Sequence, residues 1–194
     1  MRFPTNNVPI FPLSTVLFPE GVMLLRIFET RYLDMVSRCL KQDVPFGVCM
    51  IADGSEVGEA ANCYQIGTLA KIINWDQTKG GVLAIEALGC QRFKILDSDI
   101  SKQELITASI QLLGDAPSVP IPDELVTLTG MLRNVLNKNE RSAILDDKQF
   151  HDANWVGYRL TEVLPMDNVI RQRLLEIDDP IERLYLILGL FADH

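Results

Sequence analysis

Three prolines within six residues, Pro117, Pro120 and Pro122, set the main constraint on what this 194-residue chain can fold into. A proline ring fixes φ and removes the N–H donor, so it continues neither a helix interior nor a central strand. The segment from Gly114 to Pro122 is therefore expected to join two parts. The hydrophobic pattern changes across it, from short β-type runs before to helical spacing after.

Before the prolines, Val8–Leu13 is an apolar run whose own prolines suit a sheet edge. Val22–Phe28 is a second strand, reached through the turn signal Phe18-Pro19-Glu20-Gly21. One helix is expected over Thr30–Lys41, with Tyr32, Leu33, Val36 and Leu40 on its apolar face. Strands then follow over Pro45–Ile51, Ile66–Asn74, Gly81–Leu88, Arg92–Leu96 and Leu105–Leu112. Asp53–Ala61 is polar and reads as a loop, Trp75–Gly80 as a hairpin connection, and Gly89 as a bend or bulge. Several short strands at close spacing imply a barrel or curled sheet, while helices do not alternate as in a doubly wound fold.

After the prolines, Asp123 and Glu124 open a helix carrying Leu125, Leu128, Leu132, Val135 and Leu136. Ala153–Leu164 and Asn168–Ile177 are two more, the former stopped by Pro165. The last has the clearest start: Asp179 as N-cap, Pro180 at the first helical position and Glu182 at the third. Ile181, Leu184, Tyr185, Leu188 and Phe191 would form its buried stripe. The expected division is a β-barrel subdomain over 1–116 and a helical bundle over 117–194.

Composition narrows the function. The chain carries 26 acidic and 18 basic residues, a net charge of -8. Nucleic-acid affinity comes largely from Lys and Arg displacing counterions, so nucleic acid and anionic membranes are disfavoured partners. No apolar run reaches the length of a membrane-spanning helix, and the N-terminus lacks an apolar secretion core. Cys39, Cys49, Cys63 and Cys90 form no CxxC pair, and His151 and His194 complete no zinc spacing. Four reduced thiols in a cytoplasmic protein are expected, with no metal and no cofactor.

The chemistry of catalysis is also hard to assemble. Neither GxxxxGK[ST] nor GxGxxG nor GxSxG occurs. Two histidines leave few ways to activate a serine or cysteine. His151 beside Asp152 reads as an exposed helix-start residue, and Asp146-Asp147 and Asp178-Asp179 read as capping groups.

The most specific segment is Ile10-Phe11-Pro12-Leu13-Ser14-Thr15-Val16-Leu17-Phe18-Pro19, continuing into Ile27-Phe28-Glu29-Thr30-Arg31-Tyr32. It resembles the opening of the Lon N-terminal domain family, found at the front of ATP-dependent Lon proteases and in stand-alone proteins. Phe46-Gly47-Val48, Ser55-Glu56-Val57-Gly58, Ile66-Gly67-Thr68-Leu69-Ala70-Lys71-Ile72 and Gly89-Cys90-Gln91-Arg92-Phe93 are similar to its later elements. The chain departs from the family at Glu20, where glycine is frequent, and at Leu24 and Thr30, where proline is.

The resemblance implies an α+β protein: a PUA-like β barrel with one inserted helix, followed by a C-terminal helical bundle. It implies a non-catalytic module for unfolded or exposed apolar polypeptide segments, working beside a protease system. A chain ending at His194 is expected to be a stand-alone member without ATPase or peptidase domains. Phe18, Met23, Leu25, Phe28 and Trp75 are the candidate peptide contacts. Glu29, Arg31, Tyr32, Gly67, Gly89, Arg92 and Phe93 are expected to be structural, with Arg92 a possible partner of Glu29. Two other readings stay open: an RNA-binding PUA-like protein, and a small-molecule enzyme with a site between barrel and bundle.

Overall fold

The computed structural model describes residues 3–77, 82–114, 118–138 and 147–192. The chain divides into two compact units, Met1–Asp115 and Ala116–His194.

The described residues of the first unit form seven strands and one helix: β1 Val8–Leu13, β2 Val22–Ile27, α1 Thr30–Gln42, β3 Phe46–Asp53, β4 Asn62–Cys63, β5 Ile66–Gln77, β6 Leu83–Ile100 and β7 Ile106–Leu112. The sheet runs β1-β7-β6-β5-β3, and β1 also pairs in parallel with β3, which closes the path into a five-stranded barrel. β1 is thus not the edge strand its prolines suggest. Its ladder with β7 covers Val8–Ile10 and its ladder with β3 covers Ile10–Leu13, overlapping only at Ile10. Pro9 and Pro12 each sit in a half-strand with one neighbour, so a missing N–H leaves no gap between two ladders.

Val8, Ile10, Cys49, Leu69, Phe93, Ile106, Ala108 and Ile110 fill the barrel interior. Burying aliphatic and aromatic side chains of this size contributes ~1.5–3 kcal/mol each. Two glycines admit this packing. A β-carbon on Gly67 would meet the Val48 carbonyl oxygen and Cys49 Sγ, and one on Gly47 would meet Ile10 and Phe93.

The expected strands Gly81–Leu88 and Arg92–Leu96 are one, β6, of 18 residues. Gly89 does not end it. Thr68 faces Arg92 and Ala70 faces Gly89, so one extra residue is accommodated on β6 at this point. The bulge turns β6 from the barrel into a three-stranded arm, in which Leu83–Leu88 pairs with β2 on one side and with the end of β5 on the other. Trp75 belongs to β5, opposite Ile85, and not to a loop. The turn expected to reach Gly80 extends beyond the described residues.

α1 covers the arm. Its buried residues are Arg31, Tyr32, Met35, Val36 and Cys39, whereas Leu40 is 38% exposed. The apolar stripe thus runs through positions 32, 35, 36 and 39. Met35 and Cys39 take the places expected for Leu33 and Leu40 on the face that α1 buries. Phe11, Leu13, Leu17, Leu25, Ile27, Phe46, Val48, Ile85 and Ala87 complete this second core.

The second unit contains a 3₁₀ turn Asp123–Leu125, α2 Val126–Lys138, a 3₁₀ segment Asp147–His151, α3 Ala153–Val163, α4 Asn168–Glu176 and α5 Pro180–Ala192. Leu125, Leu128, Leu132, Phe150, Trp155, Val156, Leu160, Leu174, Leu184 and Ile187 lie in its core. Asp179 caps α5 through the N–H groups of Ile181 at 2.8 Å and Glu182 at 3.4 Å. Asp152 caps α3 through Asn154 N–H at 2.9 Å. Tyr185, expected in the buried stripe, lies outside it: it is 48% exposed and its hydroxyl donates to Glu124. Its place inside is taken by Arg183, which is fully buried.

Candidate binding groove

An open groove of about 350 Å³ runs along β2 in the first unit. Phe11 and Leu13 of β1, Thr15 beyond it, Tyr32 of α1, and Glu56 and Val57 of the 53–61 loop line it opposite every residue from Met23 to Glu29. Apolar side chains dominate this lining, and Phe28, Leu24 and Val57 are 60%, 65% and 55% exposed. Such side chains in one concavity are the feature that marks binding grooves on soluble proteins.

Local polar contacts set the groove's walls. Glu56 accepts a hydrogen bond from the Ser14 N–H at 2.5 Å, tying the 53–61 loop to the segment after β1. Glu104, itself in the left-handed region at φ 62°, accepts from Ala60 N–H at 3.0 Å and holds the other end of that loop. Glu29 occupies the N-cap position of α1, but caps with its carbonyl rather than its side chain. Its carboxylate pairs with Arg31 at 2.9 Å, not with Arg92. The buried Arg31 guanidinium also donates to the Glu104 carbonyl at 2.8 Å and lies over the Tyr32 ring. Tyr32 stacks on Phe11 with 4.2 Å between centroids. Burial pushes the Tyr32 hydroxyl up to about 12, against the opposing pull of the Arg31 charge.

Met23, Leu25 and Phe28 meet in this groove. Phe18 does not: it is fully buried, and the Gly21 N–H donates to its carbonyl in the turn before β2. It is therefore a core residue and presents no surface to a guest. Leu25 is 7% exposed, so it presents an edge of its side chain and no more. Trp75, 57% exposed, lies outside the groove lining. Phe11, Leu13, Tyr32 and Val57 were not among the sequence candidates for contact. Alternation along β1 was the available signal for Phe11 and Leu13, because residues two apart on a strand share one face.

Among the expected structural residues, Phe93 is fully buried in the barrel and Arg92 is 4% exposed. The Arg92 carbonyl accepts from Leu113 N–H at 2.9 Å. Buried Thr68, beside Gly67, donates its hydroxyl to the Leu17 carbonyl at 2.6 Å and fixes the segment between β1 and β2.

Nucleophilic chemistry finds little support in the described residues. Burial pushes the Cys39 and Cys63 thiols to about 11 and the Cys49 thiol well above its usual range, so they stay protonated at neutral pH. His151 is exposed beside the cap of α3. Asp146 and His194 lie outside the described residues. No group of three or more His, Cys, Asp or Glu is placed to hold a metal among the described residues. No helix among them is long and apolar enough to cross a membrane.

A closed barrel with a helix-covered arm, followed along the chain by a helical unit, defines an α+β fold of the kind found in Lon N-terminal domain structures. Residues 7–193 match the family described as the ATP-dependent protease La (LON) substrate-binding domain, and the chain belongs to that family. The crystal structure of a Lon N-terminal domain protein from Xanthomonas campestris superposes with a TM-score of 0.80 at 32% identity, covering 94% of this chain and 96% of that one. Lon protease 2 of Herpetosiphon aurantiacus is 27% identical over 93% of this chain and 23% of its own length. A LON peptidase N-terminal domain and RING finger protein of Schizosaccharomyces pombe is 24% identical over 93% of this chain and 44% of its length. The chain thus spans under half of these curated relatives, and the similarity is to the substrate-binding domain of Lon, not to its protease domain.

Proposed function

We infer that this chain is a non-catalytic module that holds exposed apolar segments of unfolded polypeptides. The observation that carries the reading is the groove beside β2, where exposed Phe28, Leu24 and Val57 surround the deeper Phe11, Leu13 and Tyr32. Met23, Leu25 and Phe28 are the contacts proposed for the guest; Phe18 lies in the core and is not one of them. The protonated thiols and exposed His151 favour binding over acyl transfer. The family's substrate-binding description supports a polypeptide guest and a role alongside a protease system. Free Cys39, Cys49, Cys63 and Cys90 fit a reducing compartment such as the cytoplasm.

The test is a titration of the intact chain with a chemically unfolded protein and with the same protein folded. Binding of the unfolded form in the micromolar range, insensitive to moderate salt, is expected for an apolar groove. Equal, negligible signals for both forms would end the reading.

A further inference from the structure

β2 pairs with β6 along one edge, and no strand among the described residues pairs with its other edge. The groove lies along that second edge. Its lining includes Met23, Leu24, Leu25, Arg26 and Ile27 without interruption. Successive side chains of a strand point to opposite faces, so a groove confined to one face would touch alternate residues only. Contact with every residue places the groove against the strand's own backbone edge.

The ladder fixes which backbone groups face it. Glu20 N–H donates to the Gly89 carbonyl and Gly89 N–H donates to the Gly21 carbonyl, both at 2.8 Å. Val22 faces Leu88, and the register then runs without a slip to Ile27 opposite Leu83. Bonded and non-bonded pairs alternate in an antiparallel ladder. Counting from the pair at Gly21, the residues bonded to β6 are Met23, Leu25 and Ile27. The N–H and C=O groups of Val22, Leu24 and Arg26 point away from β6 into the groove.

We propose that the guest binds as an added β-strand on β2, its backbone bonded to Leu24 and Arg26 and its alternate side chains seated on Phe11, Leu13 and Tyr32. This deepens the polypeptide-binding reading and rests on it. The edge spans six residues, or ~20 Å of strand, so it takes an extended segment of about six to eight residues. Main-chain bonding carries no sequence information, and the alternate apolar pockets ask only for period-two hydrophobicity. The ligand class is therefore extended segments with every second residue apolar, the pattern of chain segments that form half-buried strands once folded.

The test uses the intact chain and a soluble peptide of about ten residues alternating leucine with serine or lysine. Two analogues carry N-methyl groups on alternate amides, one on each set. A strand on a single edge uses one set only, so one analogue is expected to lose at least tenfold in affinity and the other to bind nearly as well as the parent. Amide exchange at Leu24 and Arg26 should slow on binding, while Met23 and Leu25, already bonded to β6, change little. Equal affinity for parent and both analogues, or protection confined to other elements, would overturn strand addition and leave the groove a side-chain site with the general reading intact. If neither this peptide nor unfolded protein binds, both fall.

Discussion

A β-carbon placed on Gly89 would overlap the backbone carbonyl oxygen of Phe18. The close approach is held from both sides, since Gly89 exchanges hydrogen bonds with Glu20 and Gly21 across the same point. No side chain rotation relieves a clash with backbone. Gly89→Ala is expected to cost about 2–3 kcal/mol, in the range of overpacking that must move main chain. Urea unfolding with an unchanged m-value would register this as a lower midpoint; a shift within about 0.5 kcal/mol would mean the turn at Phe18 yields freely.

Glu20 stands on the other side of that contact with φ at 61°. Its N–H bonds to Gly89 while the next carbonyl accepts from Gly89, the arrangement of a bulge whose first residue is normally a left-handed glycine. A non-glycine residue there costs roughly 1–2 kcal/mol, and glycine returns roughly 0.5–1 kcal/mol of that to unfolded-chain entropy. Glu20→Gly should raise stability by about 0.5–1 kcal/mol, read as an upward shift in thermal midpoint. A lower midpoint would show that the glutamate side chain contributes more than the backbone strain removes.

Legibility divided along physical lines. The β-then-α order and the Asp179-Pro180 cap were readable, because hydrophobic period and capping are local. The unity of β6 was not, since a bulge at Gly89 looks like a chain break when its partners are unseen. Arg183 was missed for the opposite reason. A cation in an apolar stripe reads as solvent-facing unless the carbonyls that receive it are known. In the groove, Phe28 and Met23 were legible as apolar residues on a strand. The pairing of β2 with β6, which leaves its other edge without a strand among the described residues, depends on long-range register that a single sequence does not display.

That buried arginine organises the helical unit. Arg183 donates to the carbonyls of Leu174 and Ile177, to Asn154 Oδ1 and to the Tyr158 hydroxyl, and it lies over the Tyr158 ring. It ties the end of α4 to α3. Lysine keeps the charge but not the fork of donors. Arg183→Lys is therefore expected to cost about 3 kcal/mol or more, several acceptors being left buried and unbonded. Trp155 sits in this core at 7% exposure while Trp75 in the other unit is 57% exposed, so red-shifted emission would come from Trp155. Unchanged emission and midpoint would refute the hub.

Alkaline pH should probe the core under α1. Tyr32 rises from 10.0 to about 12 and Cys39 from 9.0 to about 11, both chiefly because burial disfavours the anion. A raised folded-state value means the neutral form is favoured by folding. That contribution is complete below the unfolded value and is lost as pH climbs through the folded one. Neither group should make stability vary from neutral pH to about 9, and both should weaken the fold between about 9 and 12. Tyr32→Phe removes the part above 10 and should flatten the upper arm of a stability-against-pH curve. An identical upper arm in the variant would assign the alkaline loss to other groups.

Phe18 and Phe28 separate core from surface within one strand approach. Phe18 is fully buried and Phe28 is 60% exposed at the mouth of the groove. Truncating a buried phenylalanine costs about 3–5 kcal/mol, whereas an exposed side chain away from packing changes stability by no more than about 0.5 kcal/mol. Phe28→Ser should leave unfolding unchanged and weaken capture of unfolded protein about tenfold, a loss of about 1.4 kcal/mol in binding. Phe18→Ala should do the reverse at temperatures where it stays folded, with the thermal midpoint lowered and affinity preserved. Calorimetric titration of both variants decides the matter. Full affinity in Phe28→Ser would move the guest away from this groove, and the exposed Trp75 on β5 would become the next place to look.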